Sequence, residues 1–353
     1  MTDVHHNSSE NPTDRCIYKS CESPQAAKAH KFSVAIVMRT KNRPLCLPRA
    51  LASVHNQKFK DWQLVIVNDG GDASIVEKAV EPLRKLYADR LLIIHNPTSL
   101  GMSQASNLAI KSSSSEFIIV HDDDDSWHPD FLQEAVAFLR NPINADCGAV
   151  ITQTMQIIEE IVNDKIVERE RRDFNSAENP QARVSLFRLL MQNNITTIAF
   201  LFRRSVIDKI GYYNNLPVLD DWDFNIRCAL HYEIGVIQKH LAFYHHRANQ
   251  QNTAYGNSII ATSSLCLQYE TMIRNTGLRA LINSEKHSEL LGLCFALGGH
   301  FLTSMQHQQQ SLLWIDQKLR MPLAVDLSAI QKQLTSLQAK LDQLLQKQDE
   351  AIS

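Results

Sequence analysis

Four consecutive carboxylates, Asp122 to Asp125, follow the apolar run from Phe117 to Val120 and precede Ser126 and Trp127. Like charges at this spacing repel: at an effective dielectric near 20, a pair about 4 Å apart costs on the order of 4 kcal/mol. Two settings tolerate such a cluster. In one it is a solvated turn, with Asp125 or Ser126 capping the helix that opens at Pro129. In the other it holds a cation, and oxygen-only donors suit magnesium or manganese, which in turn neutralise a diphosphate. The position directly behind a buried strand favours the cation.

Three further clusters follow apolar runs in the same way. Asn68, Asp69, Gly70 and Gly71 close one run; the glycines permit a tight turn, and Asp69 could accept from a base N–H or simply serve a strand-to-helix turn. Arg39, Thr40, Lys41, Asn42, Arg43 and Pro44 close another. Their cations and hydrogen-bonding groups could meet a nucleotide diphosphate, or form a basic surface loop. Tyr244, His245, His246 and Arg247 close a third. Its imidazoles offer metal ligands or phosphate contacts, although the chain has fourteen histidines and an isolated pair is more often structural. Downstream of Gly211, Asp220 and Asp221 stand before a helical pattern that includes Arg227. They cap that helix against its dipole, or one of them is a general base.

These clusters need a scaffold that gathers strand ends. From Lys31 the apolar pattern alternates: strands over Phe32 to Met38, Gln63 to Val67, Leu91 to Ile94, Phe117 to Val120 and Ala149 to Met155, with helices over Pro44 to Val54, Ser74 to Tyr87, Met102 to Lys111 and Pro129 to Arg140 between them. That rhythm predicts an α/β fold with a mostly parallel, Rossmann-like sheet flanked by helices, whose ligands bind beyond the carboxyl ends of the strands. Ile157 to Val167 reads as a hairpin, and the charged run Glu168 to Asp173 as a solvated loop or face. Strand Ile198 to Phe202 and helix Asp221 to Leu230 resume the rhythm, which ends near Tyr255.

The sequence divides accordingly into a flexible tail (1–30), an α/β domain (31–255), a helical extension (256–323) and a coiled-coil helix (324–353). In the last, Leu327, Ile330, Leu334, Leu337, Leu341 and Leu344 alternate steps of three and four, the a/d spacing of a coiled coil, which suits either one amphipathic helix packed on its own chain or, with so narrow a seam, pairing of residues 327–351 in a homo-oligomer. A formal net charge of −2 with 21% charged residues excludes a single-sign field for nucleic acid. The polar start from Met1 to Glu10 carries no apolar run, and Leu290 to Leu302 is too short to cross a bilayer, so a cytoplasmic protein is expected. Seven cysteines without a C-x-x-C pair suit reduced thiols. Leu312, Leu313, Trp314 and Leu319, beside Lys318 and Arg320, form an amphipathic surface suited to packing on the domain or to peripheral membrane contact.

Taken in order, these motifs resemble glycosyltransferase family 2, inverting enzymes of GT-A fold, over about residues 32–255. Val37 to Pro44 is similar to the family's first-strand motif, Ile66 to Gly71 to its second, Ile118 to Asp125 to its D-x-D, and Leu219 to Arg227 to its acidic base motif. The resemblance implies a nucleotide-sugar donor, probed by Asp69 at the nucleobase, with Thr40, Lys41, Arg43, Asp122 and Asp123 lining its site. Asp124 and Asp122 would hold Mn2+ or Mg2+, with His246 as a further candidate ligand, and Asp221 would be the base. The acceptor would be a saccharide or lipid-linked saccharide in surface polysaccharide assembly. Lys41, Asn68 and Ser106 depart from the family pattern, where an aromatic, an acid and an arginine are common. Two rival classes are a non-catalytic nucleotide-sugar-binding scaffold, which should lack the base or metal carboxylates, and a nucleotidyltransferase, which should carry a glycine-rich loop that Arg39 to Pro44 lacks.

Overall fold

In the computed structural model, the description covers residues 31–174, 182–247, 250, 255–256, 263–282 and 331–340. Expectations for the tail, most of the helical extension and the amphipathic segment near Trp314 lie outside the described residues. Two compact units divide the chain, Met1–Glu270 and Thr271–Ser353. The described residues of the second are the C-terminal part of α8 (Ser263–Ile282) and residues 331–340, both helical.

The first unit is built on β1 (Val34–Thr40), β2 (Trp62–Asp69), β3 (Leu91–Asn96) and β4 (Phe117–Asp122), parallel in the order β3-β2-β1-β4. Helices α1 (Leu47–His55), α2 (Ala73–Tyr87) and α3 (Met102–Lys111) connect them. Short apolar runs such as Val34 to Met38 lack alternation because both sheet faces are covered. Ile36 and Met38 join a core with Leu51 of α1 and Phe131 of α4 (Phe131–Arg140), and α3 packs against β1 and β2. Beyond β4 the sheet continues through β8 (Phe200–Arg203), β6 (Cys147–Val162), β9 (Glu233–His246) and the two-residue β5 (Ser126–Trp127). β8 runs antiparallel to both neighbours, whereas β6 and β9 are parallel.

Most expected elements stand within a few residues of their observed limits, and the α3 range coincides. The hairpin forms between β6 and β7 (Lys165–Asp173), turning at Asn163 and Asp164, both at positive φ. The charged run at 168–173 is therefore a strand and not a loop. Its exposed residues form ion pairs such as Arg171–Glu168 and Arg169–Glu160, which keep the strand soluble. Helices α5 (Leu186–Met191) and α6 (Arg204–Ile210) are too short to show a period and were not expected. α7 (Asp220–Ala229) begins one residue before its expected start. Cys46, Cys147 and Cys228 are buried thiols.

Candidate active site

Parallel register assembles the first half of the site. Arg39 stands opposite Val67 on one side and Asp122 on the other, and Thr40 opposite Asn68. The polar residues that end three strands therefore meet at one edge. They border a cleft of about 650 Å³ whose lining includes Thr40, Lys41, Arg43, Asp69, Asp122 to Asp125 and Asp221. Eight of the nine site residues expected from sequence thus share one cleft. The ninth, His246, is not among the described lining residues; it is half-buried near Tyr244, which is.

Asp69 is held by four donors. The side chains of Asn96 (2.8 Å) and Ser99 (2.6 Å) and the backbone N–H groups of Leu100 (2.8 Å) and Gly101 (3.0 Å) all donate to it. Burial alone would raise its pKa, but these bonds outweigh burial and lower it, so the group is a fixed anion. Gly70 makes the arrangement possible. Its φ is +74°, and a Cβ there would lie 2.5 Å from the Ser99 nitrogen, so a side chain would push away the segment that encloses Asp69.

The acidic run is partnered by arginines. Arg39 Nε donates to Asp122 Oδ1 at 3.2 Å while Nη1 donates to Ser106 Oγ at 3.0 Å and lies 3.9 Å from Asp220. Arg39 thus reaches Ser106, the position at which the family pattern commonly has an arginine. Arg43 Nη1 pairs with Asp123 at 2.9 Å and Asp124 at 3.0 Å, and its Nη2 donates to the Gly256 carbonyl at 3.1 Å. Behind them, fully buried Arg247 pairs with Asp124 and with Glu159 (2.6 Å) and donates to the Tyr255 carbonyl at 2.8 Å. Glu159 is bidentate to Arg49, and His245 Nδ1 lies 2.9 Å from it.

Burial pushes Asp122 upward and Asp123 up to about 6, against the pull of Arg39 and Arg43 respectively. Asp125, whose carboxylate accepts the His245 backbone N–H at 2.9 Å, is raised well above the usual range by burial and by Asp124. Asp124 alone moves down, because Arg43 and Arg247 outweigh its burial. The repulsion expected within the run is thus met by guanidinium pairing of Asp122, Asp123 and Asp124, while burial raises Asp122, Asp123 and Asp125.

Asp221 occupies the first turn of α7, behind Leu219 at φ 60°. The capping alternative fits it only in part: Asp221 Oδ1 accepts the adjacent Trp222 N–H at 2.7 Å. Asn193 Nδ2 lies 3.3 Å from both carboxylate oxygens, and Thr197 Oγ1 donates to Oδ2 at 3.3 Å. Burial first, and neighbouring Asp220 second, push the carboxyl up to about 6. Asp220 instead accepts from Ser103 Oγ at 2.8 Å, so the two carboxylates have separate partners.

Among the described residues no group of three or more His, Cys, Asp or Glu side chains is gathered as a metal-binding cluster. Asp122 and Asp124 nevertheless supply hard oxygen donors on the cleft. That set fits magnesium or manganese bound as these ions usually are beside phosphates, by one or two carboxylates with the remaining positions filled by phosphate oxygens and water. Asn193, Thr197, Glu159 and Arg49 went unnoticed in the sequence. Each lies outside a recognisable motif, and only the fold brings Asn193 and Thr197 to Asp221 and Glu159 to Arg49.

Residues 35–211 match the family model described as glycosyl transferase family 2. The PGL/p-HBAD biosynthesis glycosyltransferase of Mycobacterium bovis (strain BCG / Pasteur 1173P2) is 29% identical over 199 residues, 55% of this chain and 68% of that protein. The uncharacterized glycosyltransferase YwdF of Bacillus subtilis (strain 168) is 24% identical over 207 residues, 58% of this chain and 70% of that one. Among solved structures, S. aureus TarS 1–349 in complex with UDP-GlcNAc superposes with a TM-score of 0.53 at 16% identity, covering 75% of this chain and 73% of that one.

Proposed function

From the premise that this chain belongs to glycosyl transferase family 2 and is a glycosyltransferase of GT-A fold, we propose that it transfers a sugar, with inversion, from a nucleotide-diphosphate donor to a hydroxyl of a saccharide or lipid-linked saccharide. A UDP-sugar and a role in surface polysaccharide assembly are the donor and setting we favour. The observation that supports this reading most is convergence: Asp69, Asp122, Asp124 and Asp221, spread over more than 150 positions of the chain, line one cleft.

In this scheme Thr40, Lys41, Arg43, Asp69, Asp122 and Asp123 receive the donor. Asp69 fixes the segment from Asn96 to Gly101 that borders the nucleotide. Asp122 and Asp124 hold a divalent ion, which when bound acts as a Lewis acid that stabilises the departing diphosphate. His246 is a weaker candidate for the same ion. Asp221 takes the proton of the attacking hydroxyl, which approaches the anomeric carbon opposite the leaving group. A carboxyl raised to about 6 suits this work: it is ionised at neutral pH yet more basic than an ordinary aspartate. Asn193 and Thr197 keep its oxygens oriented, and Arg39 spaces Asp122 from Asp220.

Among the described residues no helix is long and apolar enough to cross a membrane. Contact with a membrane surface, and pairing of chains through residues 327–351, remain parts of the proposal. A screen of nucleotide sugars for Mn2+-dependent binding and hydrolysis tests the core of it. Binding of one donor class with metal dependence is expected, and no binding of any nucleotide sugar would overturn the reading.

A further inference from the structure

The two guanidinium groups that share Asp124 are not equivalent. Arg247 is fully buried, is not among the lining residues of the cleft, and is tied to Asp124, Glu159 and the Tyr255 carbonyl. Arg43 lines the cleft, its side chain is 23% exposed, its Nη1 lies 2.9 Å from Asp123 and 3.0 Å from Asp124, and its Nη2 donates to the Gly256 carbonyl. One cation is therefore built into the interior, and the other faces the space where a donor would lie.

Resting on the reading of the cleft as a donor and cation site, we propose that Arg43 couples the two ligands: it neutralises Asp123 and Asp124 before the donor arrives and then passes to the diphosphate, which releases Asp124 to the divalent ion that it shares with Asp122. The electrostatics drive the exchange in that direction. A carboxylate already flanked by two guanidiniums attracts a further cation weakly, because the incoming charge meets like charges at contact distance. A guanidinium, for its part, matches a phosphate with two parallel charge-assisted bonds, whereas Arg43 Nη1 is shared between Asp123 and Asp124. Transfer of Arg43 thus exchanges its contacts to Asp123 and Asp124 for a fork-on-phosphate geometry while it uncovers Asp124. Coupling of this kind is reciprocal, so the ion must also tighten the hold on the diphosphate.

The test is Mn2+ binding to the full-length protein, followed by the electron paramagnetic resonance signal of free Mn2+, without nucleotide and with UDP, GDP being run in parallel. Arg43→Gln removes the competing cation. Its nucleotide-free affinity for Mn2+ is expected to rise about tenfold, a typical size for coupling between sites, while its metal-free affinity for the better-bound nucleotide falls. Arg43→Lys keeps the charge and loses the planar fork. It should bind Mn2+ as the wild type does and hold the nucleotide more weakly. Unchanged or weaker Mn2+ binding by folded Arg43→Gln would overturn the proposal. Should that variant fail to fold, Arg43→Lys decides, and a wild-type nucleotide affinity in it would overturn the proposal equally. If the wild type binds nucleotide but never Mn2+, the cation reading fails and this inference with it; if it binds neither nucleotide, the donor reading itself has failed.

Discussion

Asp221 combines two properties that are opposed in an ordinary surface aspartate: a basicity raised by burial and by Asp220, and a position fixed by Asn193 and Thr197. As a base it acts when deprotonated, so the transfer rate should fall as pH drops through about 6 and level off above it. A pH–rate profile with no inflection near that value would separate Asp221 from the proton transfer. Asp221→Asn should abolish transfer and leave the affinity for nucleotide sugar nearly unchanged, as read by calorimetric titration. The same substitution has a stability consequence of opposite sign. A folded-state pKa above the unfolded one means that ionisation disfavours the fold, an effect absent below the unfolded value near 4 and complete above about 6. At pH 8 the Asn variant should therefore unfold at higher denaturant than the wild type, by up to about 3 kcal/mol, with the gain vanishing near pH 4. The candidate carboxylates were legible because the acidic run is contiguous and each of the others follows or precedes an element boundary. Their partners were not: Arg49 meets the Asp124 carbonyl 75 residues away, and no local pattern records such a pairing.

At the scale of elements, the turn after β2 is held by close backbone contact. Gly70→Ala places a methyl 2.5 Å from the Ser99 nitrogen at a φ of +74°, and so should lower stability by about 2 kcal/mol in urea titrations. Donor affinity should fall in parallel, because the segment displaced is the one that fixes Asp69. An unchanged melting curve would mean that the loop is free to move aside. The parallel strands were readable because each is a continuous apolar run buried on both faces. β9 was harder to delimit, since Gln238, Lys239 and His240 interrupt its apolar pattern where its pairing with β6 shifts register. β7 was hidden by charge, its exposed faces carrying the ion pairs of an edge strand.

Across the whole first unit, Glu159 joins α1, through Arg49, to the end of β9, through His245 and Arg247. Burial opposes its ionisation, but the bonds from His245 and Arg49 prevail and hold its carboxyl at about 2. That contribution is present above the unfolded value near 4.5 and is lost as pH falls from there towards 2. Glu159→Gln leaves two arginines facing a neutral amide and should cost about 3 kcal/mol near neutrality. Chemical denaturation should show that loss with little sensitivity to salt, because screening reaches a buried pair poorly. A loss that disappears in high salt would place the pair effectively in solvent.

The bond from Arg247 to Asp124 reaches across 123 positions of the chain. During synthesis the strand carrying Asp122 to Asp125 leaves the ribosome long before its deepest counter-ion exists. A nascent chain halted ahead of β9 therefore carries carboxylates that the finished interior would shelter but that must stay hydrated for want of Arg247 and the β9 backbone. The acidic edge can dry and close only once β9 and Arg247 have been made, so the cleft is completed well after the four parallel strands that begin it.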